Sequence, residues 1–212
     1  LRTLLEIEGA EVVALCDAEA KHRVRASGIV EKARGLRPEA VERVSRVLER
    51  DDLDAVVVAL PCDLHASTYV EALRAGKHLY GEKPLALTLD ECDQVLSEAA
   101  RRPELVAHVG YQRRSNPRHR EAVALLRRGD LGPLVSGSAS WVSSNGPMNG
   151  HDHWLARRAR SGDWMVEQAV HLWDVFSWLK GGPPAQAFGQ GRRDLFADVQ
   201  PARDVTDDYA VH

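Results

Sequence analysis

The sequence predicts an α/β fold, a doubly wound parallel sheet over residues 1–111, followed over residues 112–212 by an α+β domain with a mainly antiparallel sheet. Three observations predict it. Short apolar runs alternate with amphipathic stretches up to Tyr111, and each run stops at a turn or polar signal. Beyond Tyr111 the texture changes to one fully punctuated helix, an alternating segment and a loop rich in Gly, Pro and Asn.

Taken in order, "AEVVALCD" is an apolar run closed by Asp17, with the length and β-branched content of a buried strand. Two helical stretches are expected next. The second is opened by Pro38 in "RPEAVERVSRVLER" and sets Val41, Val44, Val47 and Leu48 on one face. "LDAVVVALP" is a strand ending at Pro61, expected to be covered on both faces. "HASTYVEALRAGKHLYGEKP" gives a helix stopped by Gly76 and a strand from Lys77 to Tyr80, which completes a βαβ unit. A capping box from Thr88 to Glu91 opens a helix that buries Cys92, Val95, Leu96 and Ala99, and "LVAHVGYQ" is a strand from Leu105 to Tyr111.

In the second part, Asn116 as N-cap, Pro117 at the first helical position and Gly129 at the end delimit a helix. Leu134 to Ser144 alternates like a strand with one face on a core. A helix from about Gly162 to Lys180 ends in "GGPP", and "DVTDDYAVH" has the start of another strand. The absence of an initiating Met and the abrupt ends suggest an internal portion of a longer protein, with the first strand of the parallel sheet lying upstream.

Composition narrows the partners. With 44% apolar and 28% charged residues the chain is an ordinary globular one. Its net charge of -3 gives no footprint for nucleic acid or an anionic membrane. The double arginines at 113/114, 127/128, 157/158 and 192/193 stand among carboxylates and are expected to be solvated or locally paired. No run approaches the roughly 18 apolar residues of a membrane span. Three dispersed cysteines, Cys16, Cys62 and Cys92, suit a reducing compartment, so a cytoplasmic location is expected. An export signal upstream of Leu1 would be compatible with the same residues.

Ligands of a doubly wound sheet sit beyond the carboxyl ends of its strands, where Asp17, Pro61 to His65, Glu82 to Pro84 and Tyr111 to Arg113 all fall. An acidic residue closing the second strand of a Rossmann-type sheet accepts from a ribose 2′-hydroxyl and repels a 2′-phosphate, so Asp17 in that place prefers NAD to NADP. Its other reading is a surface aspartate. The GxGxxG fingerprint occurs nowhere in the 212 residues, so weak dinucleotide binding is expected of them alone. Lys83, between Glu82 and Pro84, is either a turn lysine or a partly dehydrated one suited to proton transfer, with an X-Pro bond that can be cis. Glu167 and His171, four apart on an apolar helix, are either a satisfied core pair or a general acid/base pair in which Glu167 orients His171 and raises its basicity. His151 and His153 form an H-x-H pair that could hold a metal, but their loop suits polar contacts to substrate better, with His153 in that role.

Three segments, "LDAVVVALPCDLHASTYVEALRAGKHLYGEKPLALTLDE", "VGYQRRSNPRHREAVALLRRGDLG" and "GDWMVEQAVHLWDVFSWLKGG", together resemble the Gfo/Idh/MocA family of NAD(P)-dependent oxidoreductases over nearly the whole chain. The resemblance implies that Lys83 is the catalytic or substrate-positioning lysine, that Pro61, His65, Glu82 and Pro84 border the dinucleotide, and that Arg113 faces the crevice. It also implies that His171 takes the hydroxyl proton of a sugar, polyol or inositol. Where the family has an aspartate four residues before that histidine, this chain has Glu167, one methylene longer. A homo-oligomer, dimer or tetramer, is implied as well. Two other functions fit the same scaffold: a glycosidase that uses NAD for transient oxidation, and a non-catalytic binding protein.

Overall fold

The computed structural model describes residues 1–142, 153–198 and 202–212. Its first part alternates β1 (Ala14–Cys16), α1 (Ala20–Arg34), β2 (Glu39–Val41), α2 (Val44–Leu48), β3 (Ala55–Val58), α3 (His65–Arg74), β4 (His78–Gly81), α4 (Leu89–Ala100) and β5 (Ala107–Val109). All ladders here are parallel. β1 pairs with β2, and β3, β4 and β5 form a three-stranded sheet in which Val57 faces Tyr80 and Tyr80 faces His108. Among the described residues no ladder joins β1 to β3.

Local signals place these elements. Helix α3 ends in a Schellman motif: Lys77 N–H donates to the Ala72 carbonyl and Gly76 N–H to that of Leu73, with Gly76 at φ 74°, a conformation glycine adopts without penalty. At the start of α4 the Glu91 amide donates to Thr88 Oγ1 at 3.2 Å and the Thr88 amide donates to Glu91 Oε2 at 3.0 Å, a reciprocal cap worth about 1 kcal/mol. Tyr69 and Leu73 of α3, Val95 of α4, Val58 and Leu79 of the sheet, and Ala86 form the core beneath the sheet. Each large apolar side chain there contributes about 1.5–3 kcal/mol of burial.

Gly81 shows how tightly this core holds the end of β4. A Cβ at that position would stand 2.5 Å from Tyr69 Cζ, and the Tyr69 hydroxyl itself donates to the Glu82 carbonyl at 2.5 Å. Gly81→Ala is therefore expected to cost about 1–3 kcal/mol through overpacking. Denaturant titration of the variant measures it, and an unchanged midpoint would refute the close approach.

Several expectations are corrected. The stretch after Pro38 is not one helix but β2 followed by the short α2. Its first residues join a parallel ladder, with Glu39 N–H donating to Val13 O and Asp17 N–H to Val41 O, both at 3.2 Å, and this pairing overrides the helical spacing of the valines. Among the described residues, strand β3 is covered on one face, by α3 and α4. Val57 is 55% exposed on the other face, with Tyr80 beside it. Leu96 is exposed, because α4 turns only its Cys92, Val95 and Ala99 side toward the sheet.

The second part contains α5 (Pro117–Arg128), capped as the sequence predicts by Asn116 and ended by Gly129 at φ 79°. Next come α6 (Arg158–Ser161), α7 (Asp163–Glu167), α8 (Val170–Lys180) and the antiparallel pair β6 (Gly189–Arg192) and β7 (Asp208–Val211). The expected strand from Leu134 to Ser144 is absent over residues 134–142. That segment has no ladder partner among the described residues, and residues 143–144 lie outside them. The expected long helix over 162–180 is two helices. Gln168 and Ala169 N–H both donate to the Trp164 carbonyl, at 2.9 and 2.8 Å, so one extra residue bulges out between α7 and α8.

Candidate active site

The site is assembled where the carboxyl end of β4 meets α7 and α8. The loop after β4 is pinned from three sides. Glu82 N–H donates to Val58 O at 3.0 Å, and Tyr69 holds the Glu82 carbonyl. His65, 1% exposed and stacked on Tyr69, places Nδ1 2.7 Å from Pro84 O and Nε2 2.9 Å from Leu60 O. The Lys83–Pro84 peptide is cis. His65 thus ties the end of β3 to the end of β4, while Pro61 stands at the head of a 3₁₀ turn, Cys62–Leu64, that leads into α3. Glu82 is exposed, and its Oε2 accepts from the Lys83 amide at 3.2 Å.

Held this way, Lys83 reaches across to α7. Its Nζ donates to the Glu167 backbone carbonyl at 2.6 Å and to the Glu167 carboxylate, with the two side chains only 12% and 10% exposed. The dehydration expected around Lys83 is thus accompanied by a counter-charge. Glu167 was expected to orient His171, and the geometry corrects this. The bulge at 168–169 breaks the one-turn relation between them, the carboxylate goes to Lys83, and His171 Nδ1 has no hydrogen-bond partner among the described residues. Burial chiefly, then the charges of Lys83 and Arg113, hold the His171 pKa below its ordinary value. Glu167 and Glu82 oppose that shift.

Arg113 also belongs to this cluster. Its guanidinium lies 4.7 Å from the Trp141 ring centroid, and the Trp141 ring is 6.0 Å from that of His171. Next to it, Arg114 grips Asp174 bidentately with three contacts of 2.8–2.9 Å. Asp174 lies three residues beyond His171, so this clamp anchors α8 beside the segment bearing Arg113. Cys62 lies behind the pair, its thiol pushed up to about 12 by burial and then by Glu167, which leaves it inert.

Two positioning residues and one aromatic were not foreseen from the sequence: Asp163, Arg114 and Trp141. Asp163 is the one non-glycine at positive φ among the described residues, at 73°, and it is 3% exposed. Its carboxylate accepts from Thr206 N–H, Thr206 Oγ1 at 3.0 Å, Trp164 N–H at 2.7 Å and Arg158 at 2.7 Å. Those bonds offset the strained backbone and fix the start of α7, hence Glu167. The available signals were a Gly-Asp step opening a helix and one large aromatic in a run of small residues.

Other candidates lie apart. Asp17 follows β1, where its Oδ1 accepts from Glu19 N–H at 2.8 Å and stands 3.3 Å from His22 Nδ1. The remaining lone pairs of this carboxylate can accept ribose hydroxyls, so the position fits a dinucleotide. His153 caps the 3₁₀ turn Trp154–Ala156, with Nδ1 accepting from Leu155 N–H at 3.3 Å. His151 and Asp152 lie outside the described residues, among which no cluster of three His, Cys, Asp or Glu side chains could hold a metal. No helix among them is long and apolar enough to cross a membrane.

Comparison with known proteins places this geometry. Residues 1–111 match the Gfo/Idh/MocA profile, described as an oxidoreductase family with an NAD-binding Rossmann fold. Residues 119–212 match the GFO/IDH/MocA C-terminal domain. A glycosyl hydrolase family 109 protein from Shewanella sp. (strain W3-18-1) is 30% identical over 143 residues, 64% of this chain and 30% of that protein. The dTDP-3,4-didehydro-2,6-dideoxy-alpha-D-glucose 3-reductase of Actinomadura kijaniata is 38% identical over 104 residues, 49% of this chain and 31% of that protein. In both, the match spans less than a third of the relative.

Among solved structures, myo-inositol 2-dehydrogenase from Lactobacillus plantarum superposes with a TM-score of 0.84 at 22% identity, over 99% of this chain and 60% of that one. Scyllo-inositol dehydrogenase from Lactobacillus casei, with bound NAD(H) and scyllo-inositol, superposes at 0.77 and 21% identity, over 99% and 60%. These two show a shared fold. Taken with the two profile matches, they lead to one assignment: the chain belongs to the Gfo/Idh/MocA oxidoreductase family.

Proposed function

We propose that the chain forms the substrate and proton-handling part of an NAD-dependent oxidoreductase acting on a hydroxyl carbon of a sugar, polyol or inositol. One observation carries this reading: Lys83, Glu167 and His171 converge from two parts of the chain at the carboxyl end of β4, with Glu167 Oε2 and His171 Nδ1 buried and without a hydrogen-bond partner among the described residues. A buried acceptor and a buried ring nitrogen without partners fit a hydroxylated ligand that supplies the missing hydrogen bonds. Residues 1–111 would carry the dinucleotide at Asp17, Pro61, His65, Glu82 and Pro84. Residues 112–212 would supply the substrate side, including Arg113 and His153.

The nicotinamide, when bound, takes up or returns the hydride. The residues here manage the proton. His171, held neutral by its surroundings, accepts the hydroxyl proton, and Lys83 donates a hydrogen bond to the same oxygen as it becomes a carbonyl. Glu167 keeps Lys83 aimed through its carboxylate and backbone carbonyl. The experiment is an NADH-production assay across inositols, polyols and sugars, and an absence of turnover on all of them sinks the reading. Asp17→Ala is expected to narrow the preference for NAD over NADP about tenfold in Kd, because it removes the acceptor for the 2′-hydroxyl and the charge that repels a 2′-phosphate. Titration with both dinucleotides measures it.

The likeness to glycosyl hydrolase family 109 proteins favours a second reading, transient oxidation that enables glycosidic cleavage. Release from a chromogenic glycoside without net NADH selects it. We propose further that the protein assembles as a homo-oligomer through the β6–β7 sheet. A cavity of about 400 Å³ there is lined by Met165, Trp173, Tyr209 and Val211, and sedimentation velocity tests the assembly.

A further inference from the structure

Gly162 and Asp163 are two consecutive left-handed residues, both at φ 73°, between α6 and α7. The first position requires glycine. A Cβ there would stand 2.8 Å from Leu87 Cδ2, in the loop that carries Lys83, and 2.9 Å from Val166. At the second position a glycine would relieve the backbone, so the aspartate is held at a conformational cost for the sake of what its carboxylate accepts. Oδ2 pairs with Arg158 at 2.7 Å and accepts from Thr206 Oγ1 at 3.0 Å, while the Thr206 amide lies 3.1 and 3.2 Å from the two oxygens. Arg158 in turn donates to Thr206 Oγ1 at 3.0 Å, which closes a ring of three polar groups. Strand β7 shares this network through Tyr209. Burial pushes its phenol up to about 12, a rise that Thr206 opposes and Asp163 adds to.

The other end of α7 is the site. Glu167 closes the helix one turn beyond Asp163, and both its backbone carbonyl, at 2.6 Å, and its carboxylate hold Lys83 Nζ. Five residues make a single turn, so a displacement at Asp163 is delivered to Glu167. We propose that Asp163 is a positioning residue for the hydroxyl-oxidising reaction, an inference that rests on the reading of Lys83 as a proton-managing group. Asp163 sets Glu167, and through it Lys83, against a fixed point beside β7. The alignment of a lysine from the first part of the chain therefore depends on Thr206 in the second.

The test is competitive acylation with acetic anhydride, read lysine by lysine by peptide mass spectrometry, with neither dinucleotide nor substrate present. Lys83, held by two acceptors and 12% exposed, is expected to react slowly beside Lys21, whose side chain is 75% exposed. Lys77, 9% exposed with Nζ donating to Arg50 O at 2.7 Å, is buried by other partners and reports general loosening. Asp163→Gly frees the backbone and removes the carboxylate. It is expected to raise the rate at Lys83 at least about tenfold and to leave Lys77 unchanged. Asp163→Asn keeps an acceptor oxygen and tolerates the left-handed region, so a rise of less than about threefold is expected. No rise at Lys83 in Asp163→Gly overturns the inference. An equal rise at Lys77 also overturns it, because the carboxylate then holds the whole fold and not the site. If the glycine variant does not fold, Thr206→Val replaces it: a rise of about threefold at Lys83 alone is expected, and no rise overturns the inference equally. Because labelling needs no turnover, the two readings separate. Selective exposure of Lys83 without NADH production on any substrate removes the dehydrogenase and leaves the positioning role. NADH production with Lys83 unresponsive to Asp163→Gly does the reverse.

Discussion

On the proposed hydroxyl-oxidising reading, Lys83→Met is expected to lower turnover with saturating NAD and a hydroxyl substrate by about 10²–10⁴-fold, the range for loss of a group that manages a proton in the transition state. The same substitution destabilises the fold. The side chains of Lys83 and Glu167 are 12% and 10% exposed, so methionine leaves a buried carboxylate whose second oxygen already lacks a partner among the described residues. Removing one member of such a pair costs about 3–5 kcal/mol, more than the net worth of the intact pair, because the remaining charge is uncompensated. Two measurements separate the effects. Chemical denaturation of Lys83→Met/Glu167→Gln should recover at least half of the lost stability, since the neutral amide no longer needs a cation. Turnover should stay at the level of the single variant. Full stability of Lys83→Met would show that the pair is not formed, and recovery of turnover in the double variant would show that Lys83 only offsets Glu167.

What the sequence made legible follows the range of the interactions concerned. The caps of α4 and α5 and the Gly76 stop depend on residues within a few positions of one another, and Thr88, Asn116 and Gly76 act as predicted. The ladder that turns Glu39–Val41 into a strand depends on β1, whose Ala14 pairs with Glu39 across 25 positions of the chain, and helical spacing carried no trace of it. The site shows the same division. Lys83, His171 and Arg113 could be selected by residue type and position at strand ends or on an apolar helix, and they do gather in one cluster.

Their partners could not be selected in that way. Glu167 belongs to Lys83 because an extra residue at 168–169 turns it away from His171, a change of one hydrogen bond at Trp164 O that has no compositional signal. Asp163 would be unremarkable in sequence. Its place becomes intelligible only through Thr206, 43 positions later, whose amide and hydroxyl it accepts. Trp141 falls in the segment expected to be a strand, yet it serves the site as a platform for Arg113.

His171→Ala is the second change of large expected effect, and its pH dependence distinguishes a proton acceptor from a packed core histidine. Burial, Lys83 and Arg113 place the His171 pKa below 6.5, so the imidazole is neutral at pH 7 and can accept a proton. Turnover should therefore be level above about pH 6.5 and should fall on the acid side only below it. His171→Ala should lose about 10²–10⁴-fold in turnover and with it the acid limb that the imidazole imposes. Stability gives an independent reading. Because the folded protein holds this proton less readily than the unfolded chain, the unfolded state binds more protons as pH drops below 6.5. The contribution of His171 is thus undiminished above 6.5 and is lost progressively as pH falls from there toward its folded value. Unfolding free energies across that window should decline more steeply for the unaltered protein than for His171→Ala. Parallel curves would mean that His171 is not held in its neutral form, and would remove it as the proton acceptor.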